Sequence, residues 1–161
     1  PIQGVIMIDS PIRPPDYDYS THERSGPIRR IKTYPDKETI LERFRLTPEQ
    51  DCENKYILDY IAKWSIRESN GGYEWKFDDS LFDKLGFGHM TRSIAFELSC
   101  KLGILYGSES SMFSDEILNY TRSSAKKGTR IIPIEDAAHH IPLDQPVKLV
   151  QEILRMIDKW K

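Results

Sequence analysis

Three short apolar runs constrain the fold of this chain more than any other feature of its sequence. They read GVIMI at 4–8, GILYG at 103–107 and RIIPI at 130–134. Each run is continuous rather than alternating, which is typical of strands that are covered on both faces of a parallel sheet. A helical pattern at 114–127 separates the second run from the third. The sequence therefore predicts an α/β fold with three parallel strands.

The chain is predicted to end in an amphipathic helix. Apolar side chains recur there at helical spacing, namely Val147, Val150, Ile153, Leu154, Ile157 and Trp160. The earlier helix is expected to end at Gly128, because glycine is the preferred residue just after a helix. These elements form a strand–helix–strand unit followed by a final helix.

Roughly ninety residues separate the first run from the second, far more than a parallel crossover needs. An inserted domain is therefore expected. One helix is predicted from Pro35-Asp36 through Phe44, and Gly71-Gly72 should end the helical pattern. A second helix is indicated by an aromatic and aliphatic stripe, Tyr56, Ile57, Tyr60, Ile61 and Trp64. Residues 77–85 should return the chain to the sheet, which divides the chain into 1–15, an inserted helical domain at 16–85, and 86–161.

Composition excludes several classes of protein. The formal net charge is -2, and the basic residues are scattered, so the chain offers no surface for a nucleic-acid backbone. No run approaches the ~20 apolar residues that span a bilayer, so we expect no membrane partner. Cys52 and Cys100 are too few for a disulfide framework, which favours reduced thiols and a cytoplasmic location.

His139 lies in the predicted loop between the third strand and the final helix. Open α/β sheets place ligands and chemistry at the carboxyl ends of their strands, and imidazole exchanges protons near neutral pH. From position alone, His139 is either a catalytic base or an ordinary loop histidine. His140 is expected to pack or hydrogen-bond locally. A metal site with Asp144 is disfavoured, because adjacent residues on an extended segment point apart, and Asp144 is better explained as an N-cap of the final helix.

Three stretches carry a resemblance to a known family. They read EDAAHHIPLDQP at 135–146, FRLTPEQ at 44–50 and GGYEWKFD at 71–78. The first resembles the closing segment of an α/β-hydrolase, and the other two resemble cap-domain signatures of one bacterial-type branch. The resemblance covers nearly the whole chain. It implies an α/β-hydrolase fold in which a helical cap is inserted between strands of a parallel sheet, and it assigns His139 as the histidine of a Ser-Asp-His triad.

The family's nucleophile is not in this sequence. The G-x-S-x-G elbow that carries the serine occurs nowhere in the chain, and in the family it precedes the strand that begins here at Gly4. The chain also opens with Pro1 rather than methionine. We therefore expect this chain to be the C-terminal half of the fold, with the missing N-terminal half as the partner that covers the open edge of the first strand.

The resemblance leaves the triad acid open. The family's usual acid follows the second strand as Gly-x-x-Asp, but the chain has Ser110 at that place, and a serine cannot stabilise an imidazolium as a carboxylate does. Other branches take the acid from the end of the earlier strand, where Asp9 stands. Asp9 is our first candidate, with Glu109 and Asp115 as alternatives.

These observations predict a serine hydrolase that cleaves an ester or a related acyl or carbon–heteroatom bond of a small-molecule substrate. No metal or organic cofactor is expected. The alternative is a non-catalytic binding or interaction module of the same fold, which Ser110 favours. Most cap aromatics are expected to form the core of the cap, with one or two facing substrate: Tyr56, Tyr60, Trp64, Tyr73 and Trp75.

Overall fold

A computed structural model describes residues 1–18, 32–78 and 94–161. Contacts divide the chain into two compact units. One comprises Pro1–Tyr17 with Thr91–Lys161, here called the sheet unit, and the other is Asp18–Met90, here called the hairpin unit. Assignment of these units to a hydrolase core and a cap stays a prediction.

The described elements follow one another in a simple order. They are β1 (Gly4–Ile8), α1 (Lys37–Leu41), α2 (Lys55–Trp64), β2 (Ile66–Ser69), β3 (Gly72–Trp75), α3 (Ile94–Glu97), β4 (Lys101–Gly107), α4 (Asp115–Ser124), β5 (Arg130–Ile134), α5 (Ile141–Asp144) and α6 (Pro146–Asp158).

The sheet unit is built on a parallel three-stranded sheet with the order β1-β4-β5. Ile8 pairs with Leu105, and Gly107 pairs with Ile134, so the carboxyl ends of all three strands lie at one edge. The predicted parallel sheet is confirmed. Its middle strand begins two residues earlier than the apolar run, at Lys101.

Apolar clusters cover both faces of this sheet. Side chains alternate along β4, so Leu102, Ile104 and Tyr106 pack into one cluster while Leu105 packs into another. The first cluster adds Phe113 and the α4 residue Ile117. The second adds residues from β5 and the segments that follow it: Ile134, Ala137, Ile141, Leu149 and Met156. Burial on both faces explains why these strands are continuously apolar.

Two glycines let α6 and the residues after it lie close against the sheet. A Cβ on Gly103 would stand 2.3 Å from Met156 Sδ, and one on Gly4 would stand 2.5 Å from the Trp160 ring. Leu149 and Met156 are the buried residues of the helix. The predicted final helix is present, but four apolar residues of its predicted stripe are exposed: Val147, Val150, Leu154 and Ile157.

The helix α4 begins at Asp115 because Ser114 caps it, accepting a hydrogen bond from the Ile117 N–H at 3.4 Å. It ends at Ser124, three residues before the predicted end. Gly128 has a φ of 95° and lies in the turn before β5 rather than directly after the helix.

The hairpin unit contains an element that the sequence analysis missed. α2 was predicted and is present, and α1 ends at Leu41 rather than continuing through Phe44. Directly after α2, strands β2 and β3 form an antiparallel hairpin where only a break in helical pattern was expected. Gly72 fits there because its φ is 147° and a Cβ would stand 2.0 Å from the Tyr34 carbonyl oxygen. The predicted return segment 77–85 falls largely outside the described residues.

Cys52 and Cys100 are free and half-buried. No helix in the described parts of the chain is long and apolar enough to cross a membrane.

Candidate active site

Asp9 occupies a strained turn at the carboxyl end of β1. Its φ is 44°, a left-handed conformation that aspartate tolerates better than most residues, and its N–H donates to the Leu105 carbonyl at 2.8 Å. The residue is only 2% exposed. A carboxylate buried this deeply needs hydrogen-bond donors around it, because its charged form otherwise loses its solvation.

His139 meets Asp9 at this edge of the sheet. The His139 Nδ1 and Asp9 Oδ2 atoms are 2.7 Å apart, although 130 residues separate them along the chain. The His139 side chain is 27% exposed, whereas that of Asp9 is 1% exposed. A carboxylate on Nδ1 favours the tautomer with the proton on Nδ1, which leaves a lone pair on Nε2. The pair therefore has the geometry of a general base oriented by an acid.

Two further donors complete the hydrogen bonds of the Asp9 carboxylate. The Gly107 N–H donates to Oδ1 at 2.8 Å, and the Ser110 hydroxyl donates to Oδ2 at 2.6 Å. Both donors come from the end of β4 and the turn after it. In the sequence Ser110 stood out only as a departure from the usual acid position, and neither donor was predicted.

The other two candidates for the acid lie elsewhere on the sheet unit. Glu109 is exposed, and its N–H donates to the Ala137 carbonyl at 2.9 Å. Asp115 is exposed in the first turn of α4. Asp9 is the carboxylate that the structure places on the His139 ring. The catalytic roles of Asp9 and His139 stay predictions.

The loop that carries His139 is anchored to the end of β4 and to α5. Asp136, which has a φ of 58°, donates its N–H to the Ser108 hydroxyl at 3.1 Å. The Ala138 N–H donates to the Asp144 carboxylate at 2.9 Å. The predicted N-cap role of Asp144 is wrong, because Asp144 ends α5 and Gln145 occupies the cap of α6. Its carboxylate instead fixes the backbone next to His139.

His140 contacts the ring of His139, with ring centroids 4.8 Å apart and planes inclined by 70°. The metal site considered above gains no support. Among residues 1–18, 32–78 and 94–161, no group of three or more His, Cys, Asp or Glu side chains is placed to hold an ion.

Most of the predicted cap aromatics are not in a core. Tyr56, Tyr60 and Trp64 are 72%, 64% and 58% exposed, so the expectation that they pack inside the cap is wrong. Trp64 and Tyr73 line a cleft of about 720 Å³ within the hairpin unit, together with Phe44 and several basic side chains.

Gly107 is required where the His139 loop crosses the end of β4. A Cβ there would stand 2.3 Å from the Ala138 carbonyl oxygen and 2.4 Å from that of Ala137. Real Cβ atoms do not approach backbone this closely, so any side chain at 107 must push the loop away.

We therefore expect Gly107→Ala to lower the free energy of unfolding by about 1–3 kcal/mol and to alter the NMR signals of the His139 imidazole. Gly128→Ala is the control, because Gly128 has open space around its Cβ position but a φ of 95°. That change should cost about 1–2 kcal/mol through backbone strain while leaving the imidazole signals in place. Unchanged imidazole signals in Gly107→Ala would contradict the crowding argument.

The architecture of this chain is similar to that of solved α/β-hydrolases. A thioesterase domain from the curacin biosynthetic pathway matches with a TM-score of 0.64 and 17% identity, over 95% of this chain and 58% of the other. E-2-(acetamidomethylene)succinate hydrolase matches with a TM-score of 0.66 and 13% identity, over 79% and 47%. An esterase from Mycobacterium tuberculosis matches with a TM-score of 0.56 and 18% identity, over 78% and 43%.

No protein-family model matches the chain, and neither does any curated protein. The structural matches show that the chain has part of an α/β-hydrolase fold. It spans about half the length of the solved structures that it matches. At these identities the likeness establishes the fold, and the activities in those names belong to those proteins.

Proposed function

We propose that this chain supplies the histidine and the acid of a serine hydrolase that cleaves esters or related acyl or carbon–heteroatom bonds. The observation that carries the proposal is the His139–Asp9 pair, with 2.7 Å between Nδ1 and Oδ2, at the carboxyl ends of parallel strands. The likeness to hydrolase and esterase structures supports the same class.

The nucleophile in this proposal comes from outside the chain. The sequence contains no G-x-S-x-G elbow, and its matches cover only 58% and 43% of two of the solved structures that it resembles. Among the described residues, β1 pairs with β4 on one side only, so its other edge is free to take a further strand. We propose that the N-terminal half of the fold pairs there and brings the serine. The two halves together are called the assembled enzyme.

In the assembled enzyme, the serine oxygen attacks the carbonyl carbon of the substrate, and His139 Nε2 takes the proton of the serine hydroxyl as it does so. Asp9 stabilises the imidazolium that forms. When the tetrahedral intermediate collapses, the bond to the leaving group breaks and that group takes the proton from Nε2. The acyl group then remains on the serine as an acyl-enzyme. A water molecule attacks it in the same way, with His139 again transferring the proton, which releases the carboxylic acid product and restores the serine. The oxyanion-hole donors would also lie in the other half.

This chain by itself should not turn over short p-nitrophenyl esters, because its nucleophile is elsewhere. Release of p-nitrophenol from the purified chain and from the assembled enzyme should be compared at equal concentration. A fluorophosphonate probe, which reacts with activated serines, should label the assembled enzyme and leave this chain unlabelled. Turnover by the chain alone that is lost in His139→Ala would place the nucleophile among these 161 residues and contradict the proposal.

The second candidate function is a non-catalytic binding or interaction module. The feature of the sequence that favours it is Ser110, which stands where the family usually has the acid. The unusual residue at the acid position favours it less than the sequence suggested, since Ser110 hydrogen-bonds the carboxylate that contacts His139. If the two halves together neither hydrolyse esters nor react with the fluorophosphonate, the chain is a binding or interaction module.

A further inference from the structure

Ser110 stands at the place where the family resemblance leads one to expect an acid, and it is almost completely buried there. Its exposure is 7%. The hydroxyl has two neighbours: Asp9 Oδ2 lies at 2.6 Å, and the Met112 N–H donates to Oγ at 3.2 Å. A side chain that only filled space at this point would not need a hydroxyl.

The direction of the Ser110 hydrogen bond follows from the chemistry of its neighbours. A serine hydroxyl has one proton to donate, and the Met112 N–H is itself a donor. The proton must therefore point to Asp9 when that carboxylate is ionised. At 2.6 Å this is a short bond of the kind that hydroxyls make to charged oxygens.

Two donors, one at the end of β4 and one in the turn after it, fix the plane of the Asp9 carboxylate. Gly107 holds Oδ1, and Ser110 holds Oδ2, which is also the oxygen that contacts His139 Nδ1. A carboxylate held at both oxygens cannot rotate about its Cβ–Cγ bond. The Gly107 donor is a backbone group and is always present, whereas the Ser110 donor depends on the side chain.

We propose that Ser110 is a positioning residue that holds the Asp9 carboxylate in the orientation that His139 Nδ1 requires. The effect on turnover rests on the function proposed above, whereas the orientation of the carboxylate does not. Asp9 and Ser110 then act together. Asp9, at the end of β1, provides the carboxylate, and Ser110, in the turn after β4, provides the hydrogen bond that fixes it.

The orientation is tested in this chain by NMR, through the Nδ1 proton of His139. A proton held in a short bond to a carboxylate exchanges slowly and resonates far downfield. We expect this signal in the wild-type chain, its broadening or loss in Ser110→Ala, and its absence in Asp9→Asn. Ser110→Thr keeps the hydroxyl and should restore it. Ser111→Ala, at the exposed neighbouring residue, is the matched control and should keep it. Thermal unfolding of each variant shows that it is folded.

Turnover is tested in the assembled enzyme with the same variants. Ser110→Ala should lower kcat by about 10- to 100-fold, as loss of a supporting hydrogen bond commonly does, with little change in KM. Ser110→Thr should recover most of that loss. A folded Ser110→Ala variant that keeps both the signal and kcat, while Asp9→Asn loses the signal, would overturn the role of Ser110 and leave the proposed function intact.

The two proposals fail in different ways. If Asp9→Asn leaves the Nδ1 signal unchanged, the Asp9–His139 pair is wrong, and both proposals fall. If the signal depends on Ser110 but the assembled enzyme shows no hydrolysis and no reaction with a fluorophosphonate, the proposed function is wrong, and the positioning role of Ser110 stands.

Discussion

Asp9→Asn in the assembled enzyme is expected to lower kcat by about 10⁴-fold, the loss found for the equivalent change in serine protease triads. The reason lies in the donors around the side chain. The Gly107 N–H faces one oxygen of the carboxylate and will hold the amide oxygen there, so the amide NH₂ turns toward His139. An NH₂ group donates to Nδ1, which shifts the imidazole proton to Nε2. That nitrogen can then no longer accept the proton of the serine.

Glu109→Gln and Asp115→Asn are the matched controls for this change. Each removes one carboxylate charge from the same unit, but both residues are exposed, and the carboxylate on His139 is that of Asp9. They should leave kcat within a few-fold of the wild type. Rates of p-nitrophenyl ester hydrolysis at saturating substrate measure all three variants. A large loss in either control with a small loss in Asp9→Asn would mean that the acid has been misassigned.

His139→Ala in the assembled enzyme is expected to lower kcat by about 10³-fold or more, as loss of a triad member does. Without the imidazole, no group takes the serine proton during attack or returns it to the leaving group. Substrate binding does not depend on that transfer, so KM should change far less than kcat. The folded state can be checked by thermal unfolding, which should show some loss of stability because the buried Asp9 carboxylate loses one of its three partners while keeping Gly107 and Ser110.

His140→Ala separates the role of His139 from a general effect of the histidine pair. The two rings touch, so loss of the second ring should loosen the first and reduce kcat far less than His139→Ala does. Equal losses from the two changes would undo the choice of His139. A larger loss from His140→Ala would transfer the base to that residue.

The sequence alone predicted an element correctly wherever its local pattern is compatible with only one stable structure. Continuous apolar runs predicted β1, β4 and β5, because a strand buried on both faces has no polar side to show. The stripe at 56–64 predicted α2 by its helical spacing alone, since three of its members are exposed. The hairpin of β2 and β3 was missed although the sequence carries a local signal for it: Asn70-Gly71, the two residues between its strands, form a pair that is common in tight hairpin turns. The close approach of Gly72 to Tyr34, across 38 positions, is visible only in the tertiary structure.

Patterns of hydrophobicity also failed where two faces of a helix are apolar. In α6 the sequence contains enough apolar residues for both, and the spacing does not say which face meets the sheet. The face that meets the sheet is set by the close approach of Met156 to Gly103 and of Trp160 to Gly4. Tyr56 and Tyr60 on α2 show the same limit, since aromatic character alone did not predict that they are exposed.

The sequence by itself determined the strands of the sheet, the loop that carries His139 and a short set of carboxylates that could act with it. It could not choose among Asp9, Glu109 and Asp115, because each follows or lies near a strand end. The parallel register of β1, β4 and β5 decides which of the three lies against the imidazole, because it brings Asp9 and His139 together across 130 residues. The same register places Gly107 and Ser110 on the carboxylate. A buried charge is stable only where such donors converge, and their convergence is a property of the tertiary structure.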